Sequence, residues 1–165
     1  MIKDMESLVN KCLIQHEGGT VFFDAIDERL RNDKILMSMM LSKVLDKERF
    51  DYIIVSGKFG RVFKKFCSKH INKEISEIII VVNGGLRKGN KIKDFYNQYE
   101  INNKKLVFID DSYYLGRTRD SIKSAIDENG GKLMYSYVFY DGSKVKDDTV
   151  HSFYRYFDNY PITEE

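Results

Sequence analysis

The chain has 165 residues, of which 42% are hydrophobic and 32% charged, and its formal net charge is +2. This length and composition are typical of one globular domain with a single hydrophobic core. A net charge so close to zero provides no global basic field, so nucleic acid is not expected as a partner.

Targeting signals and unusual cysteine patterns are not evident. No stretch approaches the roughly 20 apolar residues of a membrane span, and the first residues lack the apolar core of a signal peptide. The spacing of Cys12 and Cys67 matches neither a metal site nor a disulfide framework. We therefore expect a cytoplasmic protein with buried, reduced thiols and no membrane partner.

The first third of the chain is predicted to be mainly helical. Apolar residues recur at helical spacing over residues 4–15. Residues 20–23 are compatible with a short strand or with the start of a second helix. Asn32 or Asp33 can cap the next helix, which should run to about Lys47.

A buried strand and a glycine-containing corner come next. The apolar residues of segment 50–57 predict a strand followed by a turn, and residues 57–61 predict a two-glycine loop before a helix that starts near Val62. Strand, glycine loop and helix together make a corner that can bind phosphate. An ordinary turn is the alternative.

The second predicted strand covers residues 77–83, and a long connection follows it. Such connections in compact domains are usually functional lids or disordered segments. This one begins with three clustered cations, Arg87, Lys88 and Lys91, which indicate either a site for an anionic ligand or a solvated basic loop.

The third predicted strand ends in adjacent carboxylates. Residues 106–109 are all apolar, as in a strand buried on both faces, and Asp110 and Asp111 follow directly. Ligands of open α/β sheets bind at the carboxyl ends of the strands. Two acids at that position suit ribose hydroxyls, or a Mg²⁺ ion that bridges hydroxyls and phosphate.

A short loop leads from these acids into another helix. The loop closes on Gly116 and Thr118, and a helical pattern over residues 118–129 ends near Asn129. A helix start offers free N–H groups and a partial positive charge, which favour a phosphate. The carboxylates and a candidate phosphate cradle are therefore separated by only a few residues.

The remaining chain is predicted to add a strand and an aromatic tail. Residues 132–140 form the fourth predicted strand, and residues 141–143 a turn. Alternating strands and helices indicate an α/β fold with a parallel sheet and right-handed crossovers, in which the strand that ends in the two acids would be central if it is the signature strand described below. The aromatic segment 150–161 could pack on the sheet, form a dimer contact or stack on a base.

This order of parts resembles the signature of type I phosphoribosyltransferases, which binds 5-phosphoribosyl-1-pyrophosphate (PRPP). In that family two acids follow an apolar run, and a short loop leads to Thr/Ser-Gly-x-Thr/Ser. Asp110, Asp111, Gly116 and Thr118 fall on this pattern. Leu115 stands where the family usually has Thr or Ser, and Tyr114 stands where the 6-oxopurine branch has an Asp that acts as general acid/base.

The resemblance implies a fold. It predicts a three-layer, Rossmann-like α/β domain that spans residues 1–165, with a five-stranded core over about 50–142. The termini, residues 1–31 and 143–165, would form a small hood or an interface, and we expect a homodimer.

The resemblance also implies a reaction: phosphoribosyl transfer from PRPP to a nitrogenous base with release of pyrophosphate and with Mg²⁺ as cofactor. The partners would be PRPP and a base or nucleotide. The implied catalytic residues are Asp110 and Asp111, which hold the ribose hydroxyls directly or through Mg²⁺ and water, with Lys88 and Lys91 from an Arg-Lys-x-x-Lys flap like that of the orotate and adenine branches. The implied PRPP- and phosphate-binding residues are Ser112, Tyr113, Tyr114, Leu115, Gly116, Arg117, Thr118, Gly57, Lys58, Phe59, Gly60, Arg61 and Arg87.

Two hypotheses from other classes are compatible with the same residues. The first is a protein of this fold that binds PRPP or a nucleotide without turnover and acts as a regulator, as the departure at Leu115 and the unclear hood suggest. The second is an unrelated α/β binding module without a phosphosugar site. A receiver domain fits less well, because its acids should follow the first strand.

Overall fold

The computed structural model describes residues 33–46, 49–92 and 100–159. The predicted helix over 4–15, the ambiguous segment 20–23 and Cys12 lie outside these ranges. Within them the helices and strands, in chain order, are α1 (Lys34–Leu45), β1 (Tyr52–Ser56), α2 (Gly57–His70), α3 (Lys73–Glu77), β2 (Ile79–Val82), a 3₁₀ turn (Leu86–Lys88), β3 (Lys105–Tyr113), α4 (Arg117–Glu128), β4 (Lys132–Asp141), β5 (Val150–Arg155) and α5 (Tyr156–Asn159).

The strands form one parallel sheet in the order β2-β1-β3-β4-β5. The predicted parallel α/β architecture with β3 at its centre is confirmed. The chain goes from β1 outward to β2 and then crosses back to β3 on the other side of β1. This reversal opens a crevice at the carboxyl ends of β1 and β3, where ligands of doubly wound sheets bind.

Two apolar layers cover the sheet. Val107 and Ile109 of β3 lie in the layer shared with α1 and α2, whereas Leu106 and Phe108 lie in the layer shared with α4. This division follows from the alternation of side chains along a strand. It explains why segment 106–109 is apolar throughout, since both faces of the central strand are buried.

Helix α1 begins as the sequence predicts. The Asp33 carboxylate accepts hydrogen bonds from the N–H groups of Ile35 and Leu36, both at 3.1 Å, and so acts as the N-cap. Cys67 is a buried free thiol, as expected, and burial raises its pKa to about 12. Within the described ranges, no helix has the length and apolar composition needed to cross a membrane.

Two predicted boundaries were wrong. The strand β3 continues through both acids to Tyr113, because its pairing with β4 extends to the pair Tyr113–Asp141. The predicted loop 57–61 is instead the first turn of α2, since Gly57, at φ +62°, turns the chain within one residue. Only residues 114–116 separate β3 from the next helix.

The C-terminal segment extends the core. Val150–Arg155 pairs with β4 as the fifth strand, and Tyr154 is buried against Tyr140 with ring centroids 5.9 Å apart. Of the three alternatives for the aromatic tail, packing on the sheet is therefore the one that the structure shows for residues 150–155. The sheet therefore extends beyond residue 142, where the predicted core ended.

Candidate active site

The sequence segments singled out above meet at one edge of the sheet. Parallel strands end on the same side, so the segments that follow β1, β2 and β3 are neighbours there. A Cβ atom built at Gly57 would lie 3.3 Å from the Cα atom of Gly84, so the backbones after β1 and β2 are in close approach. Two predicted phosphate-binding segments are thus adjacent: residues 57–61 and the start of the basic connection after β2.

The two carboxylates occupy the carboxyl-terminal half of β3. As neighbours in a strand, Asp110 and Asp111 point to opposite faces of the sheet. Asp111 is 8% exposed. The Asp111 N–H donates to Asp110 Oδ1 and the Ser112 N–H donates to Asp111 Oδ1, both at 2.9 Å. One oxygen of each carboxylate is therefore fixed by the backbone, which restricts the direction of the other.

The start of α4 provides an uncapped set of N–H groups. Gly116 is the N-cap residue at φ +75° and contributes no side-chain cap, while its carbonyl accepts from the Asp120 N–H at 2.8 Å. Because the first N–H groups of a helix lack intrahelical partners, Arg117 and Thr118 present donors suited to an anion. The Leu115 side chain, which has no hydroxyl, is 67% exposed.

Sequence reasoning missed the arginine that fixes this turn. Arg119 donates to the Tyr113 hydroxyl at 3.1 Å, to Asp147 at 2.9 Å and to Thr149 at 3.3 Å. The Tyr113 hydroxyl in turn lies against Gly116, where an added Cβ would be 2.8 Å from it. Arg119 therefore connects the start of α4 to the end of β3 and to the segment before β5. No local signal could have found it, since Asp147 lies 28 residues away.

The charges in this network stabilise one another. Burial acts to raise the pKa of Asp147, but hydrogen bonds from Thr149 and Arg119 outweigh it and hold this pKa below its usual range. Burial likewise raises the pKa of Tyr113, although the Arg119 guanidinium opposes the shift. At neutral pH the network therefore consists of the neutral phenol of Tyr113 and the ion pair between Arg119 and Asp147.

An aromatic pair lies on the β4 side of the carboxylates. Tyr114 is 53% exposed and its ring packs over Gly142, where an added Cβ would lie 2.8 Å from it and 2.9 Å from the ring of Tyr140. The Gly142 N–H donates to the Tyr113 carbonyl at 2.9 Å. Glycine at 142 is therefore what allows both tyrosine rings to approach this turn.

The remaining predicted site residues divide into exposed cations and core residues. Phe59 is 4% exposed and stacks on Phe63 at 5.9 Å, and Gly60 packs against Val55, so the Phe59 side chain cannot contact a ligand. The exposed cations are Lys58, Arg61, Arg87, Lys88 and Lys91.

The basic connection begins with a defined turn. Arg87 and Lys88 form the 3₁₀ turn between Gly85 and Gly89, both of which adopt positive φ. The Asn83 side chain donates to the Lys91 carbonyl at 3.1 Å and so closes the turn. These cations therefore start beside the crevice. Residues 93–99 of the predicted flap lie outside the described ranges.

Known proteins support this architecture through their structures. No protein-family model matches the sequence, and no curated protein matches it either. An adenine phosphoribosyltransferase from Thermoanaerobacter pseudethanolicus superposes with a TM-score of 0.54 at 14% identity, over 73% of this chain and 78% of that one. A phosphoribosyltransferase from Corynebacterium diphtheriae gives 0.53 at 15% identity, over 78% and 82%. The chain has the fold of the type I phosphoribosyltransferases.

A third structure shows that this fold occurs with another bound ligand. A protein from Neisseria gonorrhoeae with bound ppGpp matches with a TM-score of 0.51 at 12% identity, over 74% of this chain and 77% of that one. At identities of 12–15%, these likenesses establish the phosphoribosyltransferase fold and not the reaction.

The donor set of this phosphoribosyltransferase fold can accommodate Mg²⁺ together with a phosphorylated ligand. Within the described ranges, no three His, Cys, Asp or Glu side chains are grouped so that they could hold a metal ion. Mg²⁺ usually keeps several waters and is bound through one or two carboxylates plus substrate phosphates. Because Asp110 and Asp111 point to opposite faces of the sheet, each of them can supply one such carboxylate.

Proposed function

We propose that the protein binds PRPP together with Mg²⁺ and transfers the phosphoribosyl group to a nitrogenous base with release of pyrophosphate. The observation that carries this proposal is the arrangement of two carboxylates and an uncapped helix start, joined by residues 114–116 at the centre of a phosphoribosyltransferase fold. Carboxylates suit ribose hydroxyls, and free N–H groups suit the 5′-phosphate.

The cations after β1 and β2 would receive the pyrophosphate. Lys58, Arg87 and Lys88 are exposed beside the contact between Gly57 and Gly84, so they can approach the phosphates from two backbone segments. Mg²⁺, held through Asp110 and Asp111, would neutralise part of the charge that grows on the leaving pyrophosphate. The protein's own contribution is to position the reactants and to stabilise charge.

The base would then approach from the β4 side. A displacement at the anomeric carbon needs the nucleophile opposite the leaving group, and the pyrophosphate segments follow β1 and β2. The side of the crevice opposite to these segments carries Tyr114, whose ring packs over Gly142. Its exposed ring can stack on a base, but it offers no carboxylate to remove a proton. An acceptor that depends on a carboxylate base at this position is therefore not expected.

A second candidate function is PRPP or nucleotide binding without turnover. The exposed Leu115 side chain, in the turn of residues 114–116, favours this second function, since type I phosphoribosyltransferases usually have a hydroxyl side chain at that position. The ppGpp-bound protein of the same fold is a precedent for a nucleotide ligand. Such a regulator would retain ligand binding and release no pyrophosphate.

Pyrophosphate release distinguishes the two functions. The protein is incubated with PRPP, Mg²⁺ and, separately, adenine, hypoxanthine, guanine, xanthine, orotate and uracil, and pyrophosphate is measured with a coupled assay. The transferase proposal expects release with at least one base, and its loss in Asp110→Asn/Asp111→Asn. Binding of PRPP without release with any base would favour the regulator, and an absence of both would overturn the two proposals.

A further inference from the structure

Helix α2 carries an unbalanced positive charge. It contains five cationic residues and no acid, whereas α4, a helix of similar length on the other face, contains three cations and three acids. The cations of α2 are Lys58, Arg61, Lys64, Lys65 and Lys69. The acidic residues that bring the net charge of the chain down to +2 are therefore located elsewhere.

Three of these cations form a stripe along the exposed side of the helix. Arg61, Lys65 and Lys69 recur every four residues, so they share one face and are separated by about 6 Å along the axis. Like charges at this spacing destabilise a helix by a few tenths of a kcal/mol per pair. Across the described ranges, every ion pair lies outside α2, and Glu74 and Glu77 on the next helix make none with it.

The stripe borders an open groove next to the edge strand β2. The groove has a volume of about 400 Å³, and the described residues that line it include no acid. Lys64 reaches across it and donates to the Ile79 carbonyl of β2 at 2.9 Å. The residues that line the groove are Arg61, Lys64, Lys65, Ser68, Lys69, Ser76 and Val81.

We propose that this groove and stripe bind the phosphate backbone of a nucleic acid. Lysine and arginine side chains spaced along one line match a polyanion with closely spaced charges, and the exposed Ser68 hydroxyl adds a donor for phosphate oxygens. The groove is open, and its lining residues on α2 extend from Arg61 to Lys69, as a polymer requires. None of the described residues that line it is aromatic, so these residues stack no bases, and the binding is independent of sequence.

An acidic peptide fits the groove less well. A peptide that adds to a sheet edge depends on the backbone groups of the edge strand. The Ile79 carbonyl of that strand already accepts from Lys64. A phosphate backbone does not depend on the backbone groups of the edge strand, because it can bind through the cationic side chains alone. The net charge of +2 led us to expect no nucleic acid partner. That nearly balanced total charge conceals a local excess of positive charge on α2.

The test measures the salt dependence of binding. Fluorescence anisotropy with labelled 20-nucleotide single-stranded RNA, single-stranded DNA and duplex DNA gives the slope of log K against log salt. For duplex DNA, each neutralised phosphate contributes about −0.9 to this slope. We expect Lys65→Gln/Lys69→Gln to make the slope less steep by about 1.8, and to weaken binding roughly 60-fold at 0.1 M salt. The three probes show whether the backbone is that of DNA or RNA.

The matched control removes the same charge at the other end of the sheet. Lys105→Gln/Lys132→Gln alters exposed lysines at the amino ends of β3 and β4 and should leave the slope near that of the wild type. Equal slopes for both double variants would overturn the proposal, as would an absence of binding at low salt or stronger competition by polyglutamate than by nucleic acid. PRPP binding, measured in parallel, should be the same in both variants, so this result is independent of the proposed function.

Discussion

Replacement of Arg119 by Met should destabilise the fold and loosen the turn of residues 114–116 between β3 and α4. The Arg119 side chain is only 14% exposed and contacts Asp120, Asp147, Thr149 and Tyr113. The contact with Asp120, whose side chain is 63% exposed, should contribute little. The bonds to Asp147 and Tyr113 are partly buried, and each should contribute on the order of 1 kcal/mol. We expect a total loss of about 2–3 kcal/mol.

The same helix contains a control for this prediction. Lys123 pairs with Asp127 at 2.7 Å, but both side chains are about half exposed, at 55% and 51%. Lys123→Met should therefore cost less than about 0.5 kcal/mol. In urea unfolding, Arg119→Met should lose several times more stability than Lys123→Met. Equal losses would show that the Arg119 network does not anchor the end of β3.

Three other changes test separate parts of the structure by the same unfolding measurement. Asp33→Ala should cost about 1 kcal/mol, because the N-cap of α1 loses its acceptor; an unchanged midpoint would contradict this cap. Gly142→Ala should cost about 1–3 kcal/mol, because the new Cβ would meet the buried ring of Tyr140 at 2.9 Å; a neutral effect would show that the turn can relax. The pKa of Asp147 is lowered in the folded state, so its stabilisation is complete above the unfolded pKa of about 3.9 and disappears as the pH falls through the folded value. The difference in stability between the wild type and Asp147→Asn should therefore be large at pH 6 and shrink below pH 4, and a constant difference would contradict the assignment.

The sequence predicted those parts of the fold whose signals are local. The apolar runs that became β1, β2 and β3 are buried on both faces, so each was visible as an uninterrupted run. Asp33 was a visible cap. The order of strands and helices was sufficient to predict a parallel sheet, and the resemblance to the phosphoribosyltransferase signature predicted β3 at its centre.

The parts that the sequence did not predict depend on distant contacts. The edge strand β5 contains both polar and aromatic residues and has no clear strand pattern. It forms a strand because it pairs with β4. The helix start at Gly57 depends on a backbone angle rather than on a residue pattern. Arg119 could not be recognised as part of the candidate site, because its partners Tyr113 and Asp147 meet it only after β3, α4 and the segment before β5 have packed.

Binding of PRPP to the crevice tests the central claim most directly. Titration calorimetry with PRPP, with and without Mg²⁺, is compared for the wild type, Asp110→Asn/Asp111→Asn and Asp127→Asn, a control at an exposed acid of α4. We predict Mg²⁺-dependent binding at one site per chain, unchanged in the control and weakened at least tenfold, or about 1.4 kcal/mol, in the double variant. Equal affinity in all three proteins, or no binding of PRPP to the wild type, would contradict the account.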